Sequence, residues 1–181
     1  MAGTLLTIGH GSRTLAELAE LLRAARIDVL VDVRAFPRSR RHPQFNRASL
    51  EAALPPQGIR YEWAGDAFGG RRAPRPDSRH VALAADVRGF ADHMESDAFR
   101  EALERLLART ARVRVAIMCA EREPAECHRS LIADAALVRG RRVIHLGVSE
   151  GERPARLDPA ARTAAGVLVY DRGQARLPVG N

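Results

Sequence analysis

Residues 4–33 of the chain, TLLTIGHGSRTLAELAELLRAARIDVLVDV, determine the class of fold that we expect. The apolar run Thr4–Ile8 predicts a first strand, and Ile27–Val33, which is dense in β-branched residues, predicts a second, buried strand. Between them, apolar residues recur at helical spacing over 14–26, a segment that begins with the Thr-x-x-Glu pattern of a capping box. A strand, a helix and a second strand in direct succession predict a βαβ unit, in which the two strands are parallel.

The same alternation continues along the rest of the chain. Further strands are predicted at residues 58–63, 113–118 and 142–146, with an edge strand at 166–170. Helices are predicted at 46–54, 86–95, 97–109 and 124–138. We therefore expect a single α/β domain over residues 1–181, with a mostly parallel β-sheet flanked by helices and a peripheral C-terminal extension from 150 to 181.

The composition is that of a globular protein. Of 181 residues, 46% are hydrophobic and 28% are charged, and no apolar run approaches the roughly 20 residues of a membrane span. The start of the chain lacks the basic and apolar regions of a signal peptide. Because the chain also has only two cysteines, we expect no disulfide scaffold, no membrane partner and a cytoplasmic location.

Charge is the unusual feature of the composition. The 29 basic residues exceed the 22 acidic ones by 7, and every basic residue is arginine. Codon bias in a GC-rich genome produces such a preference without selection for function. Arginine also binds phosphate and carboxylate groups in bidentate fashion, so the charge is compatible with a polyanionic partner without demonstrating one.

Ionisable side chains follow the predicted strands at the point where each strand ends. In a parallel sheet the carboxyl ends of the strands lie at one edge, and ligands bind there. The sequence therefore predicts a site at the carboxyl edge of the sheet. Its catalytic candidates are Cys119, Cys127, His128, His10 and Glu121. Its candidates for binding the substrate are Ser12, Arg34, Arg129, Tyr61, Gly69 and Gly70.

Some of these residue types also have ordinary structural roles. A cysteine can be a small buried hydrophobe, and His145, in a predicted strand, can be a core histidine as well as a ligand. Asp32 interrupts an apolar strand. We expect it to be a buried partner of Arg34 or of a loop amide, and so to orient the site without reacting.

An ordered set of short motifs contains these residues. The motifs are Thr7-Ile-Gly-His10, Leu30-Val-Asp-Val-Arg34, Gly58-Ile-Arg-Tyr61, Gly69-Gly70, and Met118-Cys-Ala-Glu121 followed by Cys127-His-Arg129. In this order they resemble the family of the domain of unknown function 488, over nearly the whole chain. The first loop departs from the family's Gly-His-Ser-Asn element, because Gly11 precedes Ser12 and Arg13 takes the place of Asn. The resemblance implies the fold and the site, and it implies no particular reaction.

The leading hypothesis from the residues is an enzyme that acts on a small anionic, phosphate-bearing ligand, a nucleotide or nucleic acid included. Arg34, Arg129 and free helix amides would hold the anion, and the reaction would be hydrolysis or group transfer. Cys119 is the favoured nucleophile, because a residue at a strand end faces the crevice. A standard cysteine phosphatase is disfavoured, since its Cys-x5-Arg motif would need arginine where the chain has Ala125.

Two other functions remain open. Cys119, Cys127, His128 and His10 supply ligands suited to zinc or iron, although the seven-residue spacing of the cysteines differs from that of a zinc knuckle. A nucleic-acid-binding or regulatory module without catalysis would use the arginines and aromatic residues of two loops, namely Arg38, Arg40, Arg41, Arg71, Arg72, Arg75, Arg79, Phe36, Phe45, Trp63 and Phe68. The sequence identifies no cofactor and no oligomeric state.

Overall fold

A six-stranded sheet lies at the centre of the protein, in a computed structural model that describes residues 3–148 and 151–172. Its strands are β1 (Leu5–Gly9), β2 (Val29–Asp32), β3 (Arg60–Trp63), β4 (Val115–Cys119), β5 (Val143–Val148) and β6 (Gly151–Pro154). Their order across the sheet is β3-β2-β4-β1-β5-β6, and the first five strands are mutually parallel while β6 runs antiparallel to β5. The prediction of one α/β domain with a mostly parallel sheet is confirmed.

Helices cover both faces of the sheet. They are α1 (Leu15–Ala24), α2 (Arg47–Ala53), α3 (Gly65–Phe68), α4 (Ala85–Met94), α5 (Asp97–Arg109) and α6 (Arg129–Leu137). Leu18 of α1 and Leu50 of α2 pack with Leu6 and Ile8 of β1 on one face. Helices α4, α5 and α6 bury their apolar side chains on the other face. Because both sides of each central strand are buried, these strands show no alternation of polar and apolar residues.

The first helix begins with the capping box that the sequence predicts. The Thr14 hydroxyl accepts a hydrogen bond from the Glu17 amide at 3.2 Å, and the Glu17 carboxylate accepts one from the Thr14 amide at 2.6 Å. Two of the amides that a helix start leaves unpaired are thereby satisfied. The cap fixes the position at which the chain turns from the β1 loop into α1.

The segment after β4 differs from the prediction of one continuous helix over 124–138. Pro124–Glu126 form a single 3₁₀ turn, Cys127 has an extended backbone, and α6 begins only at Arg129. The hydroxyl of Ser130 donates to the Cys127 carbonyl at 2.9 Å, which stabilises the break. The extended backbone directs the Cys127 side chain towards the end of β4. In a continuous helix, the same side chain would point away from β4.

The C-terminal part also departs from the prediction. The expected edge strand exists as β8 (Val167–Tyr170), but it pairs with β7 (Ala161–Ala164) in a separate two-stranded sheet. The edge next to β5 is occupied by β6, whose exposed, polar sequence carries no strand pattern. Tyr170 is fully buried, and its hydroxyl donates to Asp134 Oδ2 at 3.0 Å, so the hairpin is attached to α6.

Parts of the expected domain lie outside the described residues, namely 1–2, 149–150 and 173–181. The division into a core and a peripheral extension from residue 150 therefore stays a prediction. Within 3–148 and 151–172, no helix combines the length and the apolar character needed to cross a bilayer.

The capping box gives a test of the α1 start. Thr14→Ala removes the hydroxyl that accepts from the Glu17 amide, so we expect the free energy of unfolding to fall by about 1 kcal/mol. Thr14→Ser keeps the hydroxyl and should retain most of the stability. Urea denaturation of the three proteins measures the difference, and an unchanged midpoint for Thr14→Ala would contradict the assigned cap.

Candidate active site

A cavity of about 430 Å³ opens at the carboxyl edge of the sheet, where the central strands β1, β2 and β4 end. The structure brings six of the predicted site residues to its lining, namely His10, Arg34, Gly70, Cys119, Glu121 and His128. Two acidic residues of the lining, Asp86 and Glu126, are not among the predicted site residues. Asp86 lies on α4 and Glu126 lies in the turn before α6. Only the tertiary fold brings these two segments to the edge, so no local pattern could have identified them.

A buried ion pair between Asp32 and Arg34 forms one wall of this cavity. Arg34 Nε donates to Asp32 Oδ1 at 2.8 Å, and Arg34 Nη2 donates to Asp32 Oδ2 at 2.5 Å. The Tyr61 hydroxyl donates to the same carboxylate at 2.7 Å. The expectation that Asp32 is a buried partner of Arg34 is confirmed. Each carboxylate oxygen is hydrogen-bonded, which is what makes a buried charge tolerable.

His10 holds the other side of the Arg34 guanidinium. Its Nδ1 donates to the carbonyl of Gly11 at 2.8 Å, so in the neutral ring Nε2 is free to accept from Arg34 Nη1 at 3.2 Å. The ring stacks on Phe45, with centroids 4.2 Å apart. Burial, assisted by the nearby Arg34 charge, lowers the pKa of His10 to about 4, although the hydrogen bond to Gly11 opposes the shift. His10 is therefore a neutral hydrogen-bond acceptor at physiological pH.

These contacts leave Arg34 little capacity for a ligand. Asp32 and His10 take three of its five N–H groups, and the carbonyl of Phe45 accepts a fourth, from Nη2, at 2.7 Å. Within the described part of the chain, one Nη1 hydrogen remains for a bound molecule. Arg34 can thus make a single, well-oriented hydrogen bond in the cavity.

The two cysteines form a pair. The Sγ atoms of Cys119 and Cys127 are in disulfide contact, and the Cα atoms are 7.3 Å apart. Cys119 is the last residue of β4. Its side chain points to the face of the sheet that α6 covers, and Cys127 packs on the same face. This pairing differs from the prediction of two separate candidate cysteines without a disulfide scaffold. Their pairing depends on the extended backbone at Cys127, which the predicted helix had excluded.

A fully buried arginine, Arg129, lies against the sulfur of Cys119. Its Nη1 is 2.7 Å from Cys119 Sγ and donates to the carbonyl of Glu121 at 2.5 Å, while Nη2 donates to the carbonyl of Arg122 at 2.6 Å. Burial lowers the pKa of Arg129 to about 10. Its Nε has no hydrogen-bond partner in the described chain, and none of its hydrogen bonds goes to a carboxylate. The sulfur is the direct contact of the guanidinium that could carry a negative charge, while Glu121 and Glu123 compensate the cation through space.

Two further groups flank the sulfurs. Glu121 Oε2 lies 3.5 Å from Cys119 Sγ, and His128 Nδ1 lies 3.6 Å from Cys127 Sγ. His128 Nε2 donates to the carbonyl of Val33 at 3.2 Å, which leaves Nδ1 as the acceptor of the neutral ring. Burial lowers the pKa of His128, although the carbonyls that face it partly oppose the shift. Each sulfur therefore has its own neighbouring proton acceptor.

Gly70 is required by the position of His128. A Cβ at residue 70 would lie 2.5 Å from Cγ of the imidazole ring, so a larger residue would displace the ring. Gly9 has a similar role at the end of β1, because a Cβ there would lie 1.7 Å from the carbonyl oxygen of Glu121. The loop that follows Cys119 thus crosses directly over the end of the neighbouring strand.

The remaining predicted residues do not line the cavity. Ser12 is exposed, and Tyr61 reaches the site only through Asp32. Gly69 packs against Ala35, with room for no Cβ. Arg129 lies beneath the loop after β4 and contacts the sulfur, not the open space.

A metal ion has one candidate set of ligands here. The ligand atoms of Cys119, Glu121 and Cys127 all lie within 4.8 Å of one another. Two thiolates and a carboxylate form a ligand set suited to zinc once the cysteines are reduced. His10, which the sequence offered as a further ligand, uses its Nε2 for Arg34 instead.

The comparisons with known proteins give one result. A family model for the domain of unknown function DUF488 matches residues 14–136, more than half of the chain. The searches of curated proteins and of solved structures found no significant match to this chain.

The burial of His10 predicts a dependence of stability on pH. Its pKa is about 4 in the folded protein and about 6.5 in an unfolded chain, so between these values the unfolded state binds more protons. The contribution is complete above pH 6.5 and is lost as the pH falls towards 4, with a slope of at most about 1.4 kcal/mol per pH unit. His10→Gln can still accept from Arg34 and does not titrate. Urea denaturation at about pH 4.5 and about pH 6.5 should show a smaller difference for the variant than for the wild type, and equal differences would refute the assignment.

Proposed function

The chain belongs to the family of the domain of unknown function DUF488, and we propose that it is an enzyme that uses Cys119 as a thiolate nucleophile on a small anionic substrate. The reaction would be a hydrolysis or a group transfer. The observation that carries the proposal is the contact of 2.7 Å between Cys119 Sγ and the buried guanidinium of Arg129. The nucleophile is the reduced form of the cysteine pair.

Charge balance is the reason why Cys119 would ionise. A guanidinium removed from water is costly unless anions compensate it. Glu121 and Glu123 supply part of this compensation through space, and a thiolate at Cys119, in direct contact with the guanidinium, would add to it. A neighbouring cation lowers the pKa of a cysteine, and the thiolate is the reactive form. Arg129 is not a ligand for the substrate in this proposal. It positions the loop after β4 and stabilises the charge on sulfur.

Glu121 is suited to receive the thiol proton. Its carboxylate oxygen is 3.5 Å from the sulfur, and the residue is exposed, so the proton can pass on to solvent. Such a carboxylate can also return a proton to a leaving group, which is the usual division of general acid–base work. His10 takes no proton in this scheme, because its Nε2 is engaged by Arg34.

The cavity is suited to one anionic group more than to a polyanion. Besides the free N–H of Arg34, the exposed side chains of Arg38 and Arg71 line it, and neither forms an ion pair within the described residues. Three acidic residues, Asp86, Glu121 and Glu126, line it as well and offset the charges of its three arginines, so the lining has no net positive charge. We therefore favour a small phosphate- or carboxylate-bearing substrate. Phe36, 70% exposed at the rim, offers a surface on which a nucleotide base could stack.

The pKa of Cys119 tests the nucleophile. In Cys127→Ser, we expect alkylation of Cys119 by iodoacetamide to rise with a midpoint clearly below the ordinary thiol pKa of about 8.5. Arg129→Lys keeps the charge and should keep the low midpoint, while Arg129→Gln should raise it. Circular dichroism checks that each variant is folded. A midpoint at or above 8.5 in Cys127→Ser, or reaction only after unfolding, would overturn the proposal even if Arg129→Gln does not fold.

The rim arginines test the binding of anions. We expect Arg38→Ala and Arg71→Ala each to raise the Kd for inorganic phosphate or AMP by about tenfold, the worth of one charge-assisted hydrogen bond. Arg112 is an exposed arginine just before β4, at the opposite edge of the sheet, and Arg112→Ala is the matched control. Calorimetry measures the Kd of the wild type and of the three variants. Equal affinities in all variants would remove the cavity as the anion site.

A metal-binding protein is the second candidate, because the ligand atoms of Cys119, Glu121 and Cys127 lie so close together. Its signature differs from that of a thiolate enzyme. The reduced protein would bind zinc, Glu121→Gln would weaken that binding, and the thiols would become open to alkylation only after chelation. A nucleic-acid-binding module would instead show affinity for nucleic acid that falls steeply with salt, without turnover of a small substrate.

A further inference from the structure

The two cysteines of the pair line different cavities. Cys119 lines the cavity at the carboxyl edge of the sheet, whereas Cys127 lines a second cavity of about 540 Å³. This second cavity lies between α6, β5 and β6, on the other side of the Pro124 turn. A molecule in the second cavity would therefore meet Cys127 and not Cys119.

We infer that the second cavity binds a low-molecular-weight thiol that carries carboxylates, and that this thiol reduces the disulfide by attacking Cys127. The inference supplies the reduced Cys119 on which the proposed function rests. It specifies a binding site, a class of ligand and the sulfur that is attacked. Each of these follows from a separate feature of the cavity.

The lining of the second cavity matches such a ligand. Arg153 and Arg156 are exposed at its mouth, where they can bind carboxylates. Arg156 forms no ion pair within the described residues, and Arg153 makes only a long contact of 3.9 Å with Glu123. Apolar side chains line the rest of the wall, among them Leu83, Val87, Pro124 and Leu131. They can contact the carbon chain of the thiol.

The acidic residues of the lining do little to oppose an anionic ligand. Asp134 is buried and hydrogen-bonded to Tyr170, and burial raises the pKa of its carboxyl to about 7, so a large fraction is neutral near physiological pH. Asp158 is exposed, and its carboxylate accepts one hydrogen bond, from the amide of Ala160 at 2.7 Å. His145 hydrogen-bonds Thr7 at 2.7 Å and is neutral, since burial lowers its pKa to about 4.

The direction of the exchange follows from the surroundings of the two sulfurs. The incoming thiolate bonds to Cys127 Sγ, the Cys119–Cys127 bond breaks, and its electron pair leaves on Cys119 Sγ. Arg129 lies 2.7 Å from that sulfur and stabilises the departing thiolate, and a better leaving thiolate accelerates such exchange. Attack on Cys119 would instead leave the charge on Cys127, whose sulfur is 3.5 Å from the backbone amide of Arg129 but has no contact with the guanidinium.

A second thiol completes the reduction. Its thiolate attacks the sulfur of the bound thiol, forms the external disulfide, and releases Cys127 as a thiolate that takes up a proton. Two thiols are thereby oxidised and the cysteine pair gains two electrons. His128 Nδ1, 3.6 Å from Cys127 Sγ, then accepts the hydrogen bond of the regenerated thiol.

The experiment compares a charged reductant with a neutral one on the oxidised full chain. We expect Arg153→Ala and Arg156→Ala each to slow reduction by glutathione, which carries two carboxylates, by about tenfold. Reduction by 2-mercaptoethanol should be unchanged in both variants, and Arg112→Ala should leave both rates unchanged. Mass spectrometry of alkylated protein measures the rates. Equal slowing of the two reductants, or no slowing of glutathione, would overturn the inference.

A trapping experiment identifies the attacked sulfur. In the wild type treated with glutathione and quenched early with acid, peptide mapping should find the mixed disulfide on Cys127. A mixed disulfide on Cys119, or two free thiols in protein exposed to air, would also overturn the inference. These readouts follow only the cysteines, so they stand apart from substrate turnover. A cysteine pair that is reduced as described but shows an ordinary Cys119 pKa would refute the proposed function alone.

Discussion

The arrangement at the carboxyl edge depends on a guanidinium that has no access to water. Arg129 begins α6, and its hydrogen bonds to the carbonyls of Glu121 and Arg122 join this helix to the loop after β4. That loop crosses the end of β1 so closely that only glycine fits at residue 9. The position of Cys119, of its neighbouring carboxylate and of the cavity floor is thus tied to one buried cation. In the proposed mechanism, a negative charge on the sulfur beside this cation would add to the compensation that Glu121 and Glu123 supply through space.

A second buried cation, Arg34, has a different role from Arg129. Arg34 is held by Asp32, by His10 and by the carbonyl of Phe45, so its plane is fixed before any ligand arrives. Arg129 contacts the sulfur of Cys119 outside the cavity, whereas Arg34 presents a single N–H group to the cavity. Such preorganisation suits a site that must position a small anion, because little orientational freedom remains to be lost on binding.

The break before α6 connects the two cavities. An uninterrupted helix from residue 124 would carry Cys127 away from Cys119, whereas the 3₁₀ turn and the extended Cys127 bring the sulfurs together. Cys119 lines the first cavity and Cys127 lines the second. The chemistry proposed for the first cavity and the reduction proposed for the second share this disulfide and the contact of Arg129 with Cys119, whereas the arginines that would bind the two ligands differ.

The sequence by itself determined the class of fold, and it predicted the edge of the sheet where the candidate site lies. Apolar periodicity reports which side chains are buried, and that is a local property, so the strands around Leu6, Leu30 and Ile117 and the helices between them could be predicted. The tertiary structure decided which side chains contact one another, and apolar periodicity carries no information about such contacts. The pairing of the cysteines depends on the break before α6, which the apolar pattern does not show. The contact of Arg34 with His10 and the acidic lining at Asp86 bring together segments that are distant along the chain. The strand β6 was missed because its pairing with β5, and not its own side chains, makes it a strand.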